Sequence, residues 1–438
     1  MKKSLVVVFI TALLLIALPA GVMGTGWREV YDLGGRTVVF ATYNVHTIEA
    51  YFTDGLGRGR LEMVEEMFNC NIEFRELTWE GAIDTIIASH MAGDPVGDIY
   101  SFPNHWMVEL ASQGALRPLD DILDDEYYAS LPGMHSRMRE LYSTFQGQAY
   151  GFSTNDELER DNDVRSGHVM YWNKDMFAAE GQPSLYDLMD AGEWTWDKML
   201  EIAKALTKDK DGDGVIDQWG LDTRWGAADF VQILVLTNNG SYITDINGRM
   251  TFTGNDDKVL EAIQFIHDLL YVHQVVGPTN SFGKGQAGMG RFAFANMNAT
   301  VPFERGVAYW PKGPQADSHV LPLWGPRLAA LPAGVENPAA MIAIVNALFE
   351  ITSDYRDLST YEDEILERYL PYFHDYESYE VMADMIHNGV MTMVLPGTED
   401  IGWGEALNSA IEGHQSPKAA MDAIAPAMQR LIDEIYNH

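Results

Sequence analysis

Residues 37–43, Thr-Val-Val-Phe-Ala-Thr-Tyr, are a short β-branched and aromatic run behind two glycines, and they predict a first buried strand. Helical periodicity follows in residues 60–68, and the alternating run 71–77 predicts a second strand. Residues 81–91 repeat the helical period before a third apolar run at 98–102. Strands that alternate with helices in this way are typical of a parallel sheet covered by helices. The sequence therefore predicts an α/β fold.

The second half of the chain has a different texture. A polar, strand-poor stretch follows residue 147, and a further strand is predicted at 167–172. Thr195 and Ser416 are predicted N-caps of long amphipathic helices. The stretch 311–338 is rich in Pro and Gly and suggests a crossing between domains. An α/β chain of 438 residues with a break in mid-chain fits two lobes, each a sheet with helices.

The N-terminus has the pattern of a signal peptide. Lys2 and Lys3 precede an apolar run, 5–18, that is short for a bilayer span, and small residues lead to a predicted cleavage site after Gly24. The alternative is an uncleaved N-terminal anchor. Cys70 is the only cysteine, so no intramolecular disulfide forms, no lipid-bearing cysteine follows the leader, and a buried structural thiol is predicted. We expect an exported protein, periplasmic or extracellular.

Composition limits the partners. The formal charge is −35, and loss of two lysines with the leader makes it −37. Such a field repels nucleic acid and anionic lipid headgroups, so neither is an expected partner. The chain also carries 11 Trp, 20 Tyr and 18 Phe, more than two ordinary cores require. We expect some of these aromatic side chains to line a wet cleft.

An Asp-rich loop predicts a structural calcium ion. Carboxylates at positions 1, 3, 5 and 9, a glycine at position 6 and a carbonyl at position 7 supply the oxygens that Ca²⁺ prefers. The predicted ligands are Asp209, Asp211, Asp213, Val215 and Asp217. Position 12 holds Gly220 rather than a bidentate glutamate, so a further ligand would come from elsewhere or from water. The alternative is an Asp/Gly-rich surface turn without metal.

Several short motifs follow one another through most of the chain. They are Ala-Ser-His-Met-Ala-Gly-Asp-Pro-Val-Gly-Asp-Ile (88–99), Gln-Gly-Ala-Leu-Arg-Pro-Leu-Asp (113–120), Gln-Ala-Tyr-Gly-Phe (148–152) with Tyr-Trp-Asn-Lys-Asp (171–175), Trp-Thr-Trp-Asp with the Asp-rich loop (194–220), Phe-Gly-Lys-Gly-Gln-Ala-Gly-Met (282–289) and Pro-Lys-Gly-Pro (311–314). Each motif is weak alone. In this order and spacing they resemble the solute-binding proteins of bacterial ABC sugar importers, the maltose-binding-protein-like group.

The resemblance implies a two-lobed periplasmic-binding-protein fold with a hinge and a ligand cleft between the lobes. Lobe I would comprise residues 25–146 and 315–356, and lobe II residues 147–314 and 357–438, after a signal peptide at 1–24. It implies a monomer that captures a carbohydrate, with an oligosaccharide favoured, and delivers it to an ABC transporter permease. The chain departs from lipoprotein members of the family by lacking a cysteine at the mature N-terminus.

Candidate ligand contacts follow the predicted strands, because ligands of open α/β sheets bind at the carboxyl ends of strands. In lobe I these are Asn44, His46, Trp79, Glu80, Phe102, His105 and Trp106, and the resemblance places family ligand contacts at the last three. In lobe II they are Asn155, Asp156, Arg224, Trp225, Arg291 and Phe292, and Trp403 resembles a late stacking tryptophan of the family. The alternatives are a core role for Trp79, Phe102 and Trp106, local hydrogen bonding for the histidines, and an ion pair for Arg224.

Two other functions share features with this sequence. A secreted carbohydrate-active hydrolase would need two carboxylates across the scissile bond, and Asp156 with Glu304 can be named, but no local motif marks an acid and its partner. No nucleophile elbow or metalloprotease helix motif occurs, so we expect no enzyme. A sugar receptor that feeds a sensor has the same sequence features as an importer component, and a neighbouring pair of permease genes would distinguish them.

Overall fold

The protein is described from a computed structural model, which covers residues 30–43, 45–53, 58–123, 143–152, 168–224, 226–293, 301–323, 327–349, 373–385, 389–391, 398 and 401–437. The strands are β1 Arg36–Thr42, β2 Cys70–Glu76, β3 Ile99–Pro103, β4 Thr144–Phe145, β5 Gln148–Ala149, β6 Gly151–Phe152, β7 His168–Asn173, β8 Trp219–Asp222, β9 Ile243–Ile246, β10 Arg249–Phe252, β11 Ala287–Ala293, β12 Arg305–Ala308, β13 Leu321–Leu323, β14 Arg327–Ala330 and β15 Gly389–Met391. The helices are α1 Val45–Thr53, α2 Arg60–Phe68, α3 Ala82–Ala92, α4 Asn104–Ser112, α5 Lys174–Ala179, α6 Leu185–Asp190, α7 Trp196–Leu206, α8 Ala227–Thr237, α9 Asp257–His267, α10 Pro338–Phe349, α11 Tyr376–Met385, α12 Trp403–Ile411 and α13 Pro417–Tyr436.

The first sheet has the strand order β2-β1-β3-β14-β6. Strands β1, β2 and β3 are parallel, as the alternating pattern predicted, and β14 runs antiparallel to both β3 and β6. Its core is built from buried apolar side chains of β1 and the covering helices, including Phe40, Val64, Phe68, Ile344 and Phe349. Cys70 begins β2 as a buried thiol, which confirms the structural role predicted for it. Burial, followed by the charge of a nearby glutamate, raises the pKa of that thiol.

The second sheet has the order β12-β7-β11-β8 and is mixed. Strand β7 is antiparallel to both of its neighbours, and β8 is parallel to β11. Helix α7 carries an apolar stripe of Met199, Ile202 and Leu206 and packs on the second sheet with this stripe fully buried. Its predicted N-cap is confirmed, since the Thr195 side chain accepts a hydrogen bond from the backbone N–H of Lys198 at 3.4 Å.

The C-terminal helix α13 packs beside the first sheet as well as the second half of the chain. Met428 and Ile432 of α13 belong to one buried apolar cluster with Trp106 and Leu110 of α4 and with Phe252 of the β9–β10 hairpin. The helix begins as predicted, with Ser416 as N-cap and a proline at its first position. The residue boundaries predicted for lobes I and II stay predictions. In the described part of the chain, no helix is long and apolar enough to cross a membrane.

Candidate functional site

Aromatic side chains gather where the parallel strands of the first sheet end. Tyr43 follows β1, Trp79 follows β2, and His105 and Trp106 lie in the first turn of α4 after β3. The Trp79 ring centroid lies 5.2 Å from that of Tyr43, 5.3 Å from that of Trp106 and 5.9 Å from that of His105. Three of the residues that were predicted to follow the strands, Trp79, His105 and Trp106, therefore lie in contact in the structure. We call Tyr43, Trp79, His105 and Trp106 the aromatic cluster.

Exposure separates the members of the aromatic cluster. Trp79 is 51% exposed, whereas Trp106 is 3% exposed and Phe102 is fully buried. Phe102 stacks under Trp106 with ring centroids 6.2 Å apart and planes 29° from parallel. Trp106 and Phe102 thus support the site from below, and Trp79 is the ring that offers open surface. An exposed indole on a rigid aromatic base is suited to stack against the apolar face of a ligand.

Arg327 is the cationic side chain beside the aromatic cluster. It begins β14 opposite Pro103, which carries it to the carboxyl ends of β1 and β3. Its guanidinium carbon lies 4.2 Å from the centroid of the Tyr43 ring, within the range of a cation–π interaction. Neither Tyr43 nor Arg327 was predicted as a site residue. Tyr43 satisfied the same strand-end rule as Asn44, but nothing in the local sequence pairs residue 327 with a strand more than 200 positions earlier.

The other predicted residues of this lobe lie around the aromatic cluster. His105 is partly buried, and that burial lowers its pKa. His46 is exposed on α1, and Glu80 is exposed with its backbone carbonyl accepting a hydrogen bond from the Thr78 hydroxyl at 3.2 Å. Asn44 lies outside the described residues. Ligand contact by each of these residues stays a prediction.

The second sheet presents charged groups at the end where β8 and β11 finish and β7 begins. Asp222 is buried and accepts hydrogen bonds from the backbone N–H groups of Arg224, at 2.8 Å, and of Phe282, at 3.0 Å. Arg224 holds a left-handed backbone conformation with φ of 57°. Burial lowers the pKa of its guanidinium, and the Asp222 carboxylate acts in the opposite direction. The carboxylate of Asp222 therefore fixes the backbone at Arg224. Trp225 lies outside the described residues.

Arg291 lies deeper in the same end of the second sheet. Its side chain is buried, and this burial lowers its pKa to about 10 against the opposing effect of the Asp229 carboxylate. His168 lies at the same edge, and its pKa falls to about 3 because it is buried and because the Arg291 guanidinium is near. His168 is therefore neutral near pH 7. The backbone of Phe292 continues β11, and contact of either β11 residue with a ligand stays a prediction.

Trp403 begins α12 and is partly buried. Its ring meets Tyr242 edge to face, with centroids 5.0 Å apart, and Phe252 with centroids 6.2 Å apart. It packs against the buried clusters of both halves of the molecule. The structure therefore gives Trp403 a packing role, and the predicted stacking on a ligand remains untested. Asn155 and Asp156 lie outside the described residues.

The Asp-rich loop gathers part of the predicted calcium ligand set. Carboxylate oxygens of Asp209, Asp211 and Asp217 lie within 4.8 Å of one another. The Asp209 carboxylate accepts backbone N–H bonds from Gly214 at 2.8 Å and Gly212 at 2.7 Å, which lower its pKa. These bonds hold the loop in a tight turn that converges three hard oxygen ligands. The three carboxylates offer three of the roughly six to eight oxygen ligands that Ca²⁺ takes.

Asp213 and Gly220 have other surroundings, and the predicted ligand roles of Asp213 and Val215 stay predictions. Asp213 is not among the three converging carboxylates, and one of its oxygens accepts the backbone N–H of Val215 at 2.8 Å. Gly220 lies in β8 against α7, where a Cβ atom would fall 2.4 Å from the Cα and carbonyl oxygen of Ala203. Close packing therefore excludes a glutamate at position 12. A cation here would complete its coordination with water or a backbone carbonyl.

The sequence of this chain matches a known protein family. The sequence pattern of the bacterial extracellular solute-binding proteins matches residues 57–350, about two thirds of the chain. Among curated protein sequences, none matches this chain. The family consists of binding proteins rather than enzymes, and this chain is accordingly a binding protein.

Solved structures show the same fold across most of the chain. A cyclic alpha-maltosyl-1,6-maltose binding protein from Arthrobacter globiformis is 16% identical with a TM-score of 0.67, covering 92% of this chain and 100% of its own. UgpB from Mycobacterium tuberculosis, in complex with glycerophosphocholine, is 17% identical with a TM-score of 0.63, covering 91% and 98%. An ABC substrate-binding protein from Listeria monocytogenes, in complex with cycloalternan, is 15% identical with a TM-score of 0.62, covering 90% and 98%. The prediction of a two-lobed periplasmic-binding-protein fold is thus confirmed, and the protein belongs to the bacterial extracellular solute-binding protein family.

Proposed function

We propose that the protein captures a carbohydrate, with an oligosaccharide favoured, between its two lobes and delivers it to an ABC importer. The observation that carries this proposal is the aromatic cluster, in which the half-exposed Trp79 packs on the buried ring of Trp106 and the partly buried ring of Tyr43 at the carboxyl ends of β1, β2 and β3. Similar structures support it, since those from Arthrobacter globiformis and Listeria monocytogenes bind cyclic oligosaccharides. UgpB was solved with glycerophosphocholine, so proteins of this fold also bind a solute that is not an oligosaccharide.

Carbohydrate chemistry explains the fit. A pyranose ring has an apolar face of C–H groups and a rim of hydroxyls, so its site needs a flat aromatic surface and polar groups around it. Trp79 supplies the surface, and the polar groups next to it are His105 of the aromatic cluster and Arg327 beside the cluster. Arg224 lies at the corresponding strand ends of the second sheet and supplies donors from the opposite side in this proposal.

Binding in this proposal is coupled to closure of the cleft. In the open form a sugar stacks on Trp79, and the closed form adds contacts from the second sheet, so only the closed form makes both sets. A ligand shifts a conformational equilibrium by its differential affinity for the two states, which here favours closure. The closed form would be the one that a membrane permease recognises. A receptor that feeds a sensor would use the same step, and the difference lies in the partner.

The cellular setting of the proposal follows from the sequence and the family. We infer that residues 1–24 act as a signal peptide and that the mature chain works as an exported monomer. The extracellular character of the family supports export. The leader lies outside the described residues, so its cleavage is tested by N-terminal sequencing of the secreted protein.

We also propose that the Asp-rich loop binds a structural calcium ion through Asp209, Asp211 and Asp217. The support is the convergence of their carboxylates within 4.8 Å and their location on one short turn. When bound, the ion would neutralise the mutual repulsion of these carboxylates and stiffen the connection between α7 and β8. The loop precedes β8 and the candidate ligand residue Arg224 follows it, so the two sites lie at opposite ends of that strand.

A thermal-shift screen tests the proposed function. The mature chain, residues 25–438, is measured against mono- and oligosaccharides in calcium, and a sugar that binds only the folded state raises the midpoint by mass action. We expect a rise with one class of oligosaccharide and no cleavage product on chromatography. A panel that leaves the midpoint unchanged while glycerophosphodiesters raise it would replace carbohydrate with another solute.

A further inference from the structure

Arg327 differs from four other arginines of this protein in its lack of an ion pair within the described residues. Acidic residues outnumber Lys and Arg by 64 to 29, so carboxylate partners are abundant. Arg36, Arg75, Arg117 and Arg249 each lie within 4 Å of an Asp or Glu oxygen. Arg327 is half-buried, yet in the part of the chain that the structure describes it makes no such ion pair. Half-burying a charge without a counter-charge is unfavourable, so a local anion would stabilise this position.

The surroundings of Arg327 leave its terminal N–H donors without a strong partner among the described residues. One terminal nitrogen reaches the backbone carbonyl of Tyr43 only at 3.5 Å, the limit of a hydrogen bond. The Nε atom is buried and has no hydrogen-bond partner among the described residues. The face of the guanidinium is held over the Tyr43 ring and its Nε is buried, which leaves the two terminal nitrogens as the groups that would bind a ligand. Pre-orientation by an aromatic ring reduces the entropy lost on binding.

The two terminal nitrogens of a planar guanidinium match a carboxylate, which accepts two parallel N–H bonds. Tyr43 contacts both Arg327 and Trp79, so the stacking surface and the cation belong to one subsite. We propose that this subsite binds an acidic sugar residue, a uronate, whose ring stacks on Trp79 and whose carboxylate pairs with Arg327. This inference rests on the proposed carbohydrate-binding function and names the class of carbohydrate.

The overall charge of −35 does not oppose such a ligand at close range. At physiological ionic strength the Debye length is about 8 Å, so charges spread over the surface are largely screened at the cleft. A carboxylate placed on the guanidinium is at hydrogen-bond distance, where the attraction is little screened. The negative surface therefore affects the rate of encounter more than the affinity.

The experiment compares ligands that differ only in charge. Isothermal titration of the mature protein uses trisaccharides of galacturonate, glucuronate and mannuronate, each beside its methyl ester, and neutral oligosaccharides as a third arm. We expect at least one acid to bind about 10- to 100-fold more tightly than its ester, as hydrogen bonds to charged groups predict. Equal binding of acid and ester, or binding of neutral sugars alone, would overturn the acidic-sugar inference and leave the proposed function intact. Binding in none of the three arms would overturn the proposed function itself.

A variant assigns the effect to the residue. Arg327→Gln should weaken binding of the acid about 10- to 100-fold and that of the ester less than about twofold, and Arg327→Lys should recover part of the loss. Arg117→Gln is the matched control, because it removes the same charge at a position away from the carboxyl ends of the strands. Arg117 lies after the end of α4 and pairs with Asp121. Arg327→Gln that lowers acid and ester equally, with an unchanged melting midpoint, would refute the carboxylate contact.

Discussion

Trp79→Ala is the substitution that most sharply separates a ligand surface from a structural aromatic. A fully accessible tryptophan offers about 250 Å², so the 51% exposure of Trp79 corresponds to about 125 Å² of free surface. A pyranose that covers one face removes about 60 Å² of this from water, which at about 25 cal/mol per Å² is worth about 1.5 kcal/mol. We therefore expect about a tenfold rise in the Kd of the bound sugar.

Two controls accompany the titration of Trp79→Ala. Met91→Ala truncates another exposed apolar side chain of the same half, 81% exposed on α3, and should leave the Kd unchanged. Trp106→Ala empties a site that is 3% exposed and should destabilise the protein by about 3–5 kcal/mol. A Kd for Trp79→Ala within twofold of the parent protein, with binding still measurable, would refute the stacking role of this ring.

Three further predictions concern stability. Gly220→Ala should destabilise the protein by about 1–3 kcal/mol in urea unfolding, because its Cβ would lie 2.4 Å from the backbone of α7. Gly334→Ala is the control and should be neutral, because no atom lies within 4 Å of the added Cβ. Equal effects of the two substitutions would contradict the close packing. Burial depresses the folded-state pKa of His168 to about 3, so its contribution to stability is complete above about pH 6.5 and falls by up to about 1.4 kcal/mol per pH unit below it. The free energy of unfolding of His168→Gln, measured at pH 6.5, 5.5 and 4.5, should therefore fall less steeply than that of the parent protein. Parallel losses of stability in the two proteins would refute this. Asp211→Ala, which removes one of the three converging carboxylates, should lower the Tm in calcium but not in chelator, and an equal loss in both would remove the calcium ion from the proposal.

Local patterns in the sequence predicted much of the first sheet. The predicted helix at 60–68 coincides with α2, and the second and third strands lie within one residue of their predicted positions. These elements are short-range, because β-branched alternation and helical periodicity act between neighbours in the chain. The strand-end rule then located Trp79, His105 and Trp106 in one cluster, because three parallel strands end at the same edge.

What the sequence did not reveal depends on long-range pairing and burial. Arg327 enters the first sheet through β14, and the register that sets it opposite Pro103 arises from contacts far apart in the chain. Burial likewise distinguishes Trp79 from Trp106, although both are tryptophans after a strand. In the Asp-rich loop, spacing predicted the carboxylates, but which three of them converge depends on the fold of the turn.

Small-angle X-ray scattering of the mature protein, with and without a carbohydrate that raises its melting midpoint, tests capture between two lobes most directly. The account predicts a smaller radius of gyration in the saturated sample, because the closed form alone makes contacts from both sheets to the sugar. Trp79→Ala, mixed with the same sugar at a concentration below its raised Kd, should keep the larger radius. A saturating sugar that binds the parent protein without any compaction would contradict capture by closure of the lobes.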